Sequence, residues 1–181
     1  MRARTFFSRI GLERKGLSPA RLRDEIRDSG GEHARRRRWI VALSALGAVD
    51  FAVISLYQTG VIRHLPDPPL PGFASDEVNA AEDAYAMGFP DGPLGMTSYA
   101  AGAWLASIGG ERRAQDAPQW PLLLAVKAAA DMAGAVHYLK NMATVQRKAC
   151  LYCLIGAGVN FAVLGLALPE ARHAAAGLLR R

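Results

Sequence analysis

The sequence predicts an all-α membrane protein, a polytopic bundle of four transmembrane helices with a short half-helix in the outer loop. Apolar residues make up 51% of the chain and charged residues 21%, so the two classes must occupy different stretches. Residues 39–59, 92–110, 120–138 and 149–169 hold only three charged side chains between them. Each window is 19–21 residues long, and about 1.5 Å per residue lets it cross a hydrocarbon layer of roughly 30 Å. A soluble four-helix bundle is the competing interpretation, but it requires polar stripes that the last window lacks.

Basic residues cluster at the two ends of the chain and predict its topology. Residues 1–38 hold twelve of the 22 Lys and Arg, and the arginine run at positions 35–38 directly precedes Trp39. Residues 61–91 carry Arg63 alone against six acidic residues. By the positive-inside rule, we expect both termini in the cytoplasm and residues 61–91 on the outer side of an inner (cytoplasmic) membrane. The expected organisation is a basic cytoplasmic extension at 1–38, a membrane domain at 39–170 and a cytoplasmic tail at 171–181.

The N-terminal extension contains one predicted helix. Ser18 suits an N-cap and Pro19 the first helical position, while Gly30 and Gly31 end the helix. No apolar stretch of the signal-peptide type occurs in the first thirty residues. Basic residues beside a membrane attract anionic lipid, so we expect membrane lipid as a partner and no nucleic acid.

The outer segment begins with four prolines within residues 66–71, which exclude a helix or a central strand there. Residues 75–86 predict a short half-helix, with Ser75 as its N-cap. Three aromatic side chains could set this half-helix on the membrane surface as a lid: Phe73, Tyr85 and Phe89.

The only two cysteines, Cys150 and Cys153, lie where a basic turn leads into the last apolar window. Residues three apart on a helix share a face, so the two thiols are within reach of a disulfide. The helix start and the neighbouring Arg147 and Lys148 favour the reactive thiolate. An inert buried pair is the simpler alternative. Zinc is disfavoured, because two thiols do not fill a tetrahedral site and the four histidines are scattered over different segments.

Polar side chains within the apolar windows need partners in lipid. Asp50 costs about 2.5–3.5 kcal/mol at mid-membrane, and Lys127 and Asp131, four residues apart, could pair with it. These groups form either a structural cluster or a proton path to the cysteines. Asn160, two turns beyond Cys153, either donates to a ligand inside the bundle or pairs between helices.

These features together resemble the vitamin K epoxide reductase family, specifically its bacterial disulfide-forming branch, over roughly residues 39–169. Residues 47–57 resemble the family's first helix with its aspartate. Residues 76–80 and 85–95 resemble its outer half-helix and the turn into the second helix. Residues 150–155, with Asn160, resemble its redox motif and the amide two turns further on.

The resemblance implies a four-helix bundle around a quinone, either ubiquinone or menaquinone, with the cysteine pair at the mouth of the bundle. It makes Cys153 the thiol nearest the quinone and Cys150 the thiol that exchanges with an incoming dithiol. Asn160 and Phe89 are the candidate quinone contacts. Electrons would then pass from a substrate dithiol through the pair to the quinone by thiol–disulfide exchange.

The chain departs from the family in the outer loop. The family normally carries a second cysteine pair there, which shuttles electrons to the CxxC. Here Ser75 stands just before Asp76, and Ala81 replaces the family's loop serine. We therefore expect a membrane thiol–disulfide oxidoreductase served directly by a separate thioredoxin-like protein. The alternative is a non-catalytic membrane protein of the same fold that binds quinone or a partner subunit; a metal or solute carrier lacks a ligand set.

Overall fold

The computed structural model describes residues 18–180, so the part of the basic extension before Ser18, and residue 181, lie outside it. The α-helices are α1 (Pro19–Asp28), α2 (Glu32–Gln58), α3 (Ser75–Asn79), α4 (Asp91–Ser107), α5 (Arg113–Asp116), α6 (Gln119–Asn141) and α7 (Leu151–Leu179). A 3₁₀-helix at Glu82–Tyr85 and a π-helix at Met142–Gln146 complete the helical structure. Within residues 18–180 the only strand-like feature is an isolated parallel bridge between Phe73 and Ala149. The all-α prediction is confirmed.

Four long helices form the bundle, because each has a buried face at helical spacing. On α2 this face carries Ile40, Ser44, Gly47, Asp50 and Ile54, at steps of three or four residues. α2 packs against both α4 and α7, and α6 packs against the other sides of α4 and α7. The four helices therefore enclose a common interior.

Small residues let the helices approach closely, as expected for packing in lipid. A Cβ at Gly47 would lie 2.5–2.7 Å from the ring of Tyr99 on α4. A Cβ at Gly156 would lie 2.9 Å from the ring of Phe51 on α2. Glycine at these two positions therefore sets the spacing of α2 against α4 and α7.

Three helices of the described chain are long and apolar enough to cross a membrane: α2, α6 continued through the π-helix to Gln146, and α7. α4 coincides with the second predicted window and has 17 residues, or about 26 Å of helix. The chain is thus a multi-pass membrane protein whose four bundle helices match the four predicted windows.

The structure confirms the predicted cap of α1 but differs from the predicted half-helix. α1 is capped as expected, with Ser18 Oγ accepting a hydrogen bond from the N–H of Arg21 at 3.3 Å. The half-helix is shorter than expected and splits into α3 and the 3₁₀-helix. Ser75 is the first residue of α3 and does not cap it, because its side chain is engaged by other partners. α2 and α7 both run through the expected domain limits, near residues 38 and 170.

A buried ion pair at the end of the bundle remote from α3 was not foreseen from the sequence. Both guanidinium nitrogens Nε and Nη2 of Arg113 donate to the carboxylate of Glu170, at 3.0 and 2.8 Å. Its third nitrogen donates to the backbone carbonyls of Leu105 and Ile108, at 2.7 and 2.8 Å. α5 is thereby fixed to α7 and to the end of α4.

Candidate redox site

The two cysteines occupy different places at the start of α7. Cys150 is the N-cap residue, with extended backbone angles, and Cys153 lies in the first turn. Both are free thiols in the structure. The backbone N–H of Cys153 donates to Sγ of Cys150 at 3.1 Å. The sequence-based prediction that α7 begins at the cysteine pair is therefore confirmed.

Cys150 is completely covered by the outer segment, with 0% of its surface exposed. We call residues 65–79, which lie over it, the cap. The cap is joined to the strand-like residue Ala149 by two backbone hydrogen bonds: Ala149 N–H donates to Gly72 O at 2.8 Å, and Ala74 N–H donates to Ala149 O at 2.9 Å. Val78 of α3 packs against Cys150 and Met142 from above.

Hydrogen bonds to the sulfur favour the thiolate at Cys150. The hydrogen bond from the Cys153 thiol is the strongest influence on it, and burial opposes this influence. The N–H of Cys153 at 3.1 Å and the amide of Asn79 at 3.2 Å add further donors. Together they lower the pKa of Cys150 to about 7. Cys150 is thus the thiol of the reduced pair that ionises more readily.

Ser75 holds the cap and the start of α7 together. Its hydroxyl donates to Asp67 Oδ1 at 2.5 Å, and its backbone N–H donates to Asp67 Oδ2 at 2.7 Å. The same hydroxyl oxygen accepts the N–H of Leu151 at 3.0 Å. Ser75 is fully buried. A hydroxyl, unlike a thiol, cannot exchange with Cys150, so this contact fastens the cap without relaying electrons.

Two ion pairs at the cap's surface add to this closure. Lys148, next to the cysteine segment, pairs with Glu77 of α3. His64 Nδ1 lies 2.6 Å from Asp76 Oδ2, and the N–H of Leu65 donates to Asp76 Oδ1 at 2.7 Å. Burial raises the pKa of Asp76, but these hydrogen bonds and the charge of His64 outweigh it and hold the pKa below its ordinary value.

A cavity of about 350 Å³ lies among α2, α4, α6 and α7, directly below the cap. Its walls carry three aromatic rings and several small residues: Phe51, Tyr99, Tyr138, Gly95, Gly134, Gly156, Ala130, Ala135 and Ala157. Cys153 and Asn79 line its outer end. An apolar, aromatic cavity with a few polar groups and a thiol at one end suits a flat quinone ring. The residues present therefore fit the quinone that the family resemblance implies.

Three polar residues of the cavity lining form one connected set with Lys127: Ser98, Asp131 and Asn160. Lys127 Nζ lies 2.5 Å from Asp131 Oδ2, and Ser98 Oγ donates to Asp131 Oδ1 at 2.8 Å. Asn160 lines the cavity and reaches the backbone oxygen of Asp131 at 3.5 Å, the limit of a hydrogen bond. The predicted pairing of Lys127 with Asp131 is thus present, and the Asn160 amide is directed toward both the cavity and α6.

Asp50 does not join this set, contrary to the sequence-based expectation. It is buried, and its Oδ2 atom has no hydrogen-bond partner among the described residues. Instead it lies beside the first turns of α7, where a Cβ at Gly156 would be 3.7 Å from Oδ2. The reason is geometric: Lys127 turns along its own helix to Asp131, which leaves Asp50 facing the cysteine segment.

Phe89 lies apart from the cavity. It follows Gly88, whose φ of 80° makes the turn into α4, and its side chain is about half exposed. It is not among the residues that line the cavity. His137 contacts Asn141 at 3.3 Å on the outer part of α6 and also lies outside the lining. Of the four predicted site residues, the structure brings Cys150, Cys153 and Asn160 to one site and leaves Phe89 at its edge.

Asn79 is the site residue that sequence reasoning missed. Its amide donates both to Ser75 O at 2.8 Å and to Cys150 Sγ at 3.2 Å. The only sequence signal was its position four residues after Ser75, on the same face of the half-helix. That signal shows which side chains share a face, but not that the face rests on Cys150.

Comparison with known proteins agrees with this geometry. A sequence model of the vitamin K epoxide reductase family matches residues 38–168, a range that includes α4, α6, most of α2 and α7, the cap and both cysteines. A search of curated proteins finds no match. Members of the matched family are, in general, membrane thiol–disulfide oxidoreductases that act with quinones. The match spans well over half of the chain, so this protein belongs to the vitamin K epoxide reductase family.

Proposed function

We infer that this protein passes electrons from a protein dithiol, through Cys150 and Cys153, to a quinone in the bundle cavity. The observation that carries this proposal is the unequal placement of the two thiols. Cys150 lies under the cap, with its thiolate favoured, and Cys153 lines the cavity. One thiol thus faces the outer segment and the other faces the cofactor cavity.

The first half of the reaction takes place at Cys150. With the pair oxidised, a substrate thiolate attacks Sγ of Cys150, the Cys150–Cys153 bond breaks, and Cys153 leaves with the electron pair. The second substrate thiol then displaces Cys150, which releases the substrate as a disulfide. A leaving thiol of lower pKa leaves faster, so the pKa of about 7 at Cys150 favours oxidation of the substrate.

The second half returns the pair to its disulfide. The two electrons leave from the side of Cys153, which lines the cavity, and the two thiol protons leave with them. A quinone bound in the cavity supplies the acceptor for these two electrons and two protons. Asn160 holds its amide toward the cavity, in a place where it can donate to an oxygen of a bound ring.

The cap must open for the substrate to reach Cys150, since none of that residue is exposed. The contacts that close the cap include two backbone hydrogen bonds at Ala149, the Ser75–Leu151 and Asn79–Cys150 hydrogen bonds and the ion pair of Lys148 with Glu77. A donor protein that pairs its own backbone with Ala149 would replace the cap's two hydrogen bonds there. The donor is therefore proposed to open the cap as it binds.

The membrane orientation is part of this proposal. The arginines that precede Trp39 favour the cytoplasmic side for the start of α2, and the acidic cap favours the outer side of the inner membrane. Disulfides persist on that side. A CxxC on the outer side therefore suits thiol oxidation.

One observation favours the non-catalytic alternative. Among the cap residues that touch the cysteine segment, Ser75, held by Asp67, offers a hydroxyl and not a thiol, and no thiol of the chain other than Cys153 is available to Cys150. The chain then keeps the family's shape and its cavity and binds quinone or a partner subunit without electron transfer.

Thiol trapping in membranes separates the two functions. Reduced membranes are incubated with or without a short-chain quinone and quenched in acid. They are then labelled with a maleimide of defined mass after denaturation, so that burial of Cys150 does not limit labelling. The proposal predicts that quinone removes both labels in the wild type, whereas Cys153→Ser keeps the label on Cys150. Persistence of both labels in the presence of quinone would establish the non-catalytic alternative.

A further inference from the structure

A second cavity, of about 270 Å³, lies at the end of the bundle remote from the cysteines. It is enclosed by the end of α1, the start of α2 and the residues that follow α4. The opposite end of α2 carries Gln58, which donates to Asn79 O at 3.3 Å under the cap. The whole length of α2 therefore separates this cavity from the redox site.

Arg37 forms the buried wall of this cavity. Its two terminal nitrogens donate to Gly109 O and Gly110 O, at 3.2 and 3.1 Å. Among residues 18–180, its Nε atom has no hydrogen-bond partner, although only 9% of the side chain is exposed. The closest carboxylate oxygen, on Glu170, is 3.9 Å away and is engaged by Arg113 at 3.0 Å. The carboxylate nearest to Arg37 is thus shared with Arg113, so the charge of the Arg37 guanidinium is only partly compensated and favours an anion in the cavity.

Arg38 supplies a second guanidinium on the solvent side. It donates to Arg27 O at 3.4 Å and to Ser29 O at 2.8 Å, and so ties α1 to α2. A guanidinium has five N–H donors, so Arg38 keeps several for a ligand. The lining carries one opposing carboxylate, Glu111, whose Oε1 accepts the N–H of Gly31 at 2.9 Å. Two guanidinium groups against one carboxylate leave the cavity net positive.

The rest of the cavity is apolar and lies at the level of a membrane surface. Ile26, Val41 and Ala106 line it beside the two arginines. Trp39, next in the chain after Arg38, is 60% exposed, as is typical of tryptophan at a lipid–water interface. A ligand that fits must therefore combine an anionic head with an apolar body.

We propose that this cavity binds the head of an anionic glycerophospholipid, with its phosphate between Arg37 and Arg38. The glycerol backbone and the first part of the acyl chains lie against Ile26 and Val41. Glu111 lies where it can accept a hydroxyl of a phosphatidylglycerol head. The arginine fork suits phosphate, and basic pockets beside membrane helices bind acidic lipid heads.

The site differs from a general attraction of the basic segment to a charged membrane. Arg35, in the same run as Arg37 and Arg38, is exposed and does not line the cavity. Arg36 pairs with Glu32 at 2.5 Å. Diffuse attraction depends on charge alone and treats Arg35 and Arg38 alike, whereas a site distinguishes them.

The test measures lipid binding by the full-length protein in neutral detergent, by thermal shift and by retention in native mass spectrometry. The probes are phosphatidylglycerol, phosphatidylcholine, phosphatidylethanolamine and free glycerol phosphate. We expect phosphatidylglycerol alone to stabilise the wild type. Arg38→Gln should weaken its binding at least tenfold, and the matched control Arg35→Gln should change it less than twofold.

A second variant covers the case in which Arg38→Gln releases α1. Val41→Trp fills the apolar part of the cavity without changing any charge, and it should abolish the stabilisation while leaving the melting temperature in phosphatidylcholine unchanged. Equal effects of Arg35→Gln and Arg38→Gln would overturn the proposal, as would equal binding of the three phospholipids. Glycerol phosphate that binds as tightly as the lipid would assign the site to a soluble phosphate ester instead. Cys153→Ser should leave lipid binding intact, because the two sites are at opposite ends of α2.

Discussion

The side-chain amide of Asn79 donates a hydrogen bond to Sγ of Cys150 at 3.2 Å and another to the backbone oxygen of Ser75 at 2.8 Å. One amide thus closes the half-helix α3 on itself and joins it to the buried thiol. The cap that hides Cys150 is also part of what favours its thiolate. Opening the cap therefore both exposes the sulfur and removes a donor from it.

We predict that Asn79→Leu raises the pKa of Cys150. The wild-type pKa of about 7 should move toward the ordinary thiol value of about 8.5, because the thiolate loses a hydrogen-bond donor. The pH at half-maximal rate of iodoacetamide alkylation measures this pKa, whatever the accessibility of the sulfur. The measurement is made in Cys153→Ser, where the serine hydroxyl still donates and only one thiol reacts.

The control for this prediction is Asn141→Leu. Asn141 also joins the bundle to the outer segment, through a 2.8 Å hydrogen bond to Asp83, but it does not touch Cys150. We expect its alkylation profile to keep the midpoint of the Cys153→Ser parent. A midpoint that is unchanged in Asn79→Leu would show that the amide does not stabilise the thiolate.

A second prediction concerns Ser75, the cap residue that stands in the outer loop where the family normally carries a cysteine. Ser75 lies against both Asp67 and the start of α7. Ser75→Cys, in the Cys153→Ser background, should therefore form a disulfide with Cys150 on mild oxidation. The loss of both maleimide labels measures this disulfide. Glu77→Cys, two residues further along α3 and exposed, is the matched control and should keep both labels.

The fold was largely predictable from the sequence, because burial in lipid requires long uncharged windows, and all four windows became helices. The predicted helix starts at Ser18 and at the cysteine pair are also confirmed, because each depends on a capping residue close by in the sequence. The cap was not predictable. Its position over Cys150 depends on contacts between residues more than 70 positions apart, such as Asn79 with Cys150 and Ser75 with Leu151. No periodicity in one segment contains that information.

The buried polar groups show the same limit. Lys127 and Asp131 pair within one helix, where the i, i+4 spacing is visible in the sequence. Asp50 was expected to join them, but it faces another helix. The pairing of Arg113 with Glu170 across 57 positions was missed. Spacing along a helix predicts a face, whereas the partner of that face is decided by the packing of the bundle.

The Arg113–Glu170 pair supports a third prediction. Both side chains are almost fully buried, and Arg113 also holds backbone carbonyls at the end of α4. Glu170→Gln leaves a buried guanidinium without its counter-charge, so we expect a loss of about 3–5 kcal/mol in the free energy of unfolding. Chemical denaturation in detergent measures it. Arg112→Gln, which removes the exposed Arg112–Asp116 contact at 3.9 Å, should cost less than about 1 kcal/mol. Similar losses in the two variants would show that burial does not make the Arg113–Glu170 pair more costly to break than an exposed contact.

The fourth prediction tests the close approach of α2 and α4. Gly47→Ala places a methyl group 2.5–2.7 Å from the ring of Tyr99. That ring is itself fixed by a hydrogen bond to Gly156 O at 2.9 Å, so the helices must separate. We expect a loss of about 1–3 kcal/mol in the free energy of unfolding, despite the better helix propensity of alanine.

Gly158→Ala on α7 meets nothing within 4 Å and gains that propensity without a clash, so it should be neutral or stabilising by up to about 1 kcal/mol. If Gly47→Ala were as stable as Gly158→Ala, Tyr99 would have to be free to move. The cavity wall that it forms beside Cys153 would then be less rigid than the hydrogen bond to Gly156 implies.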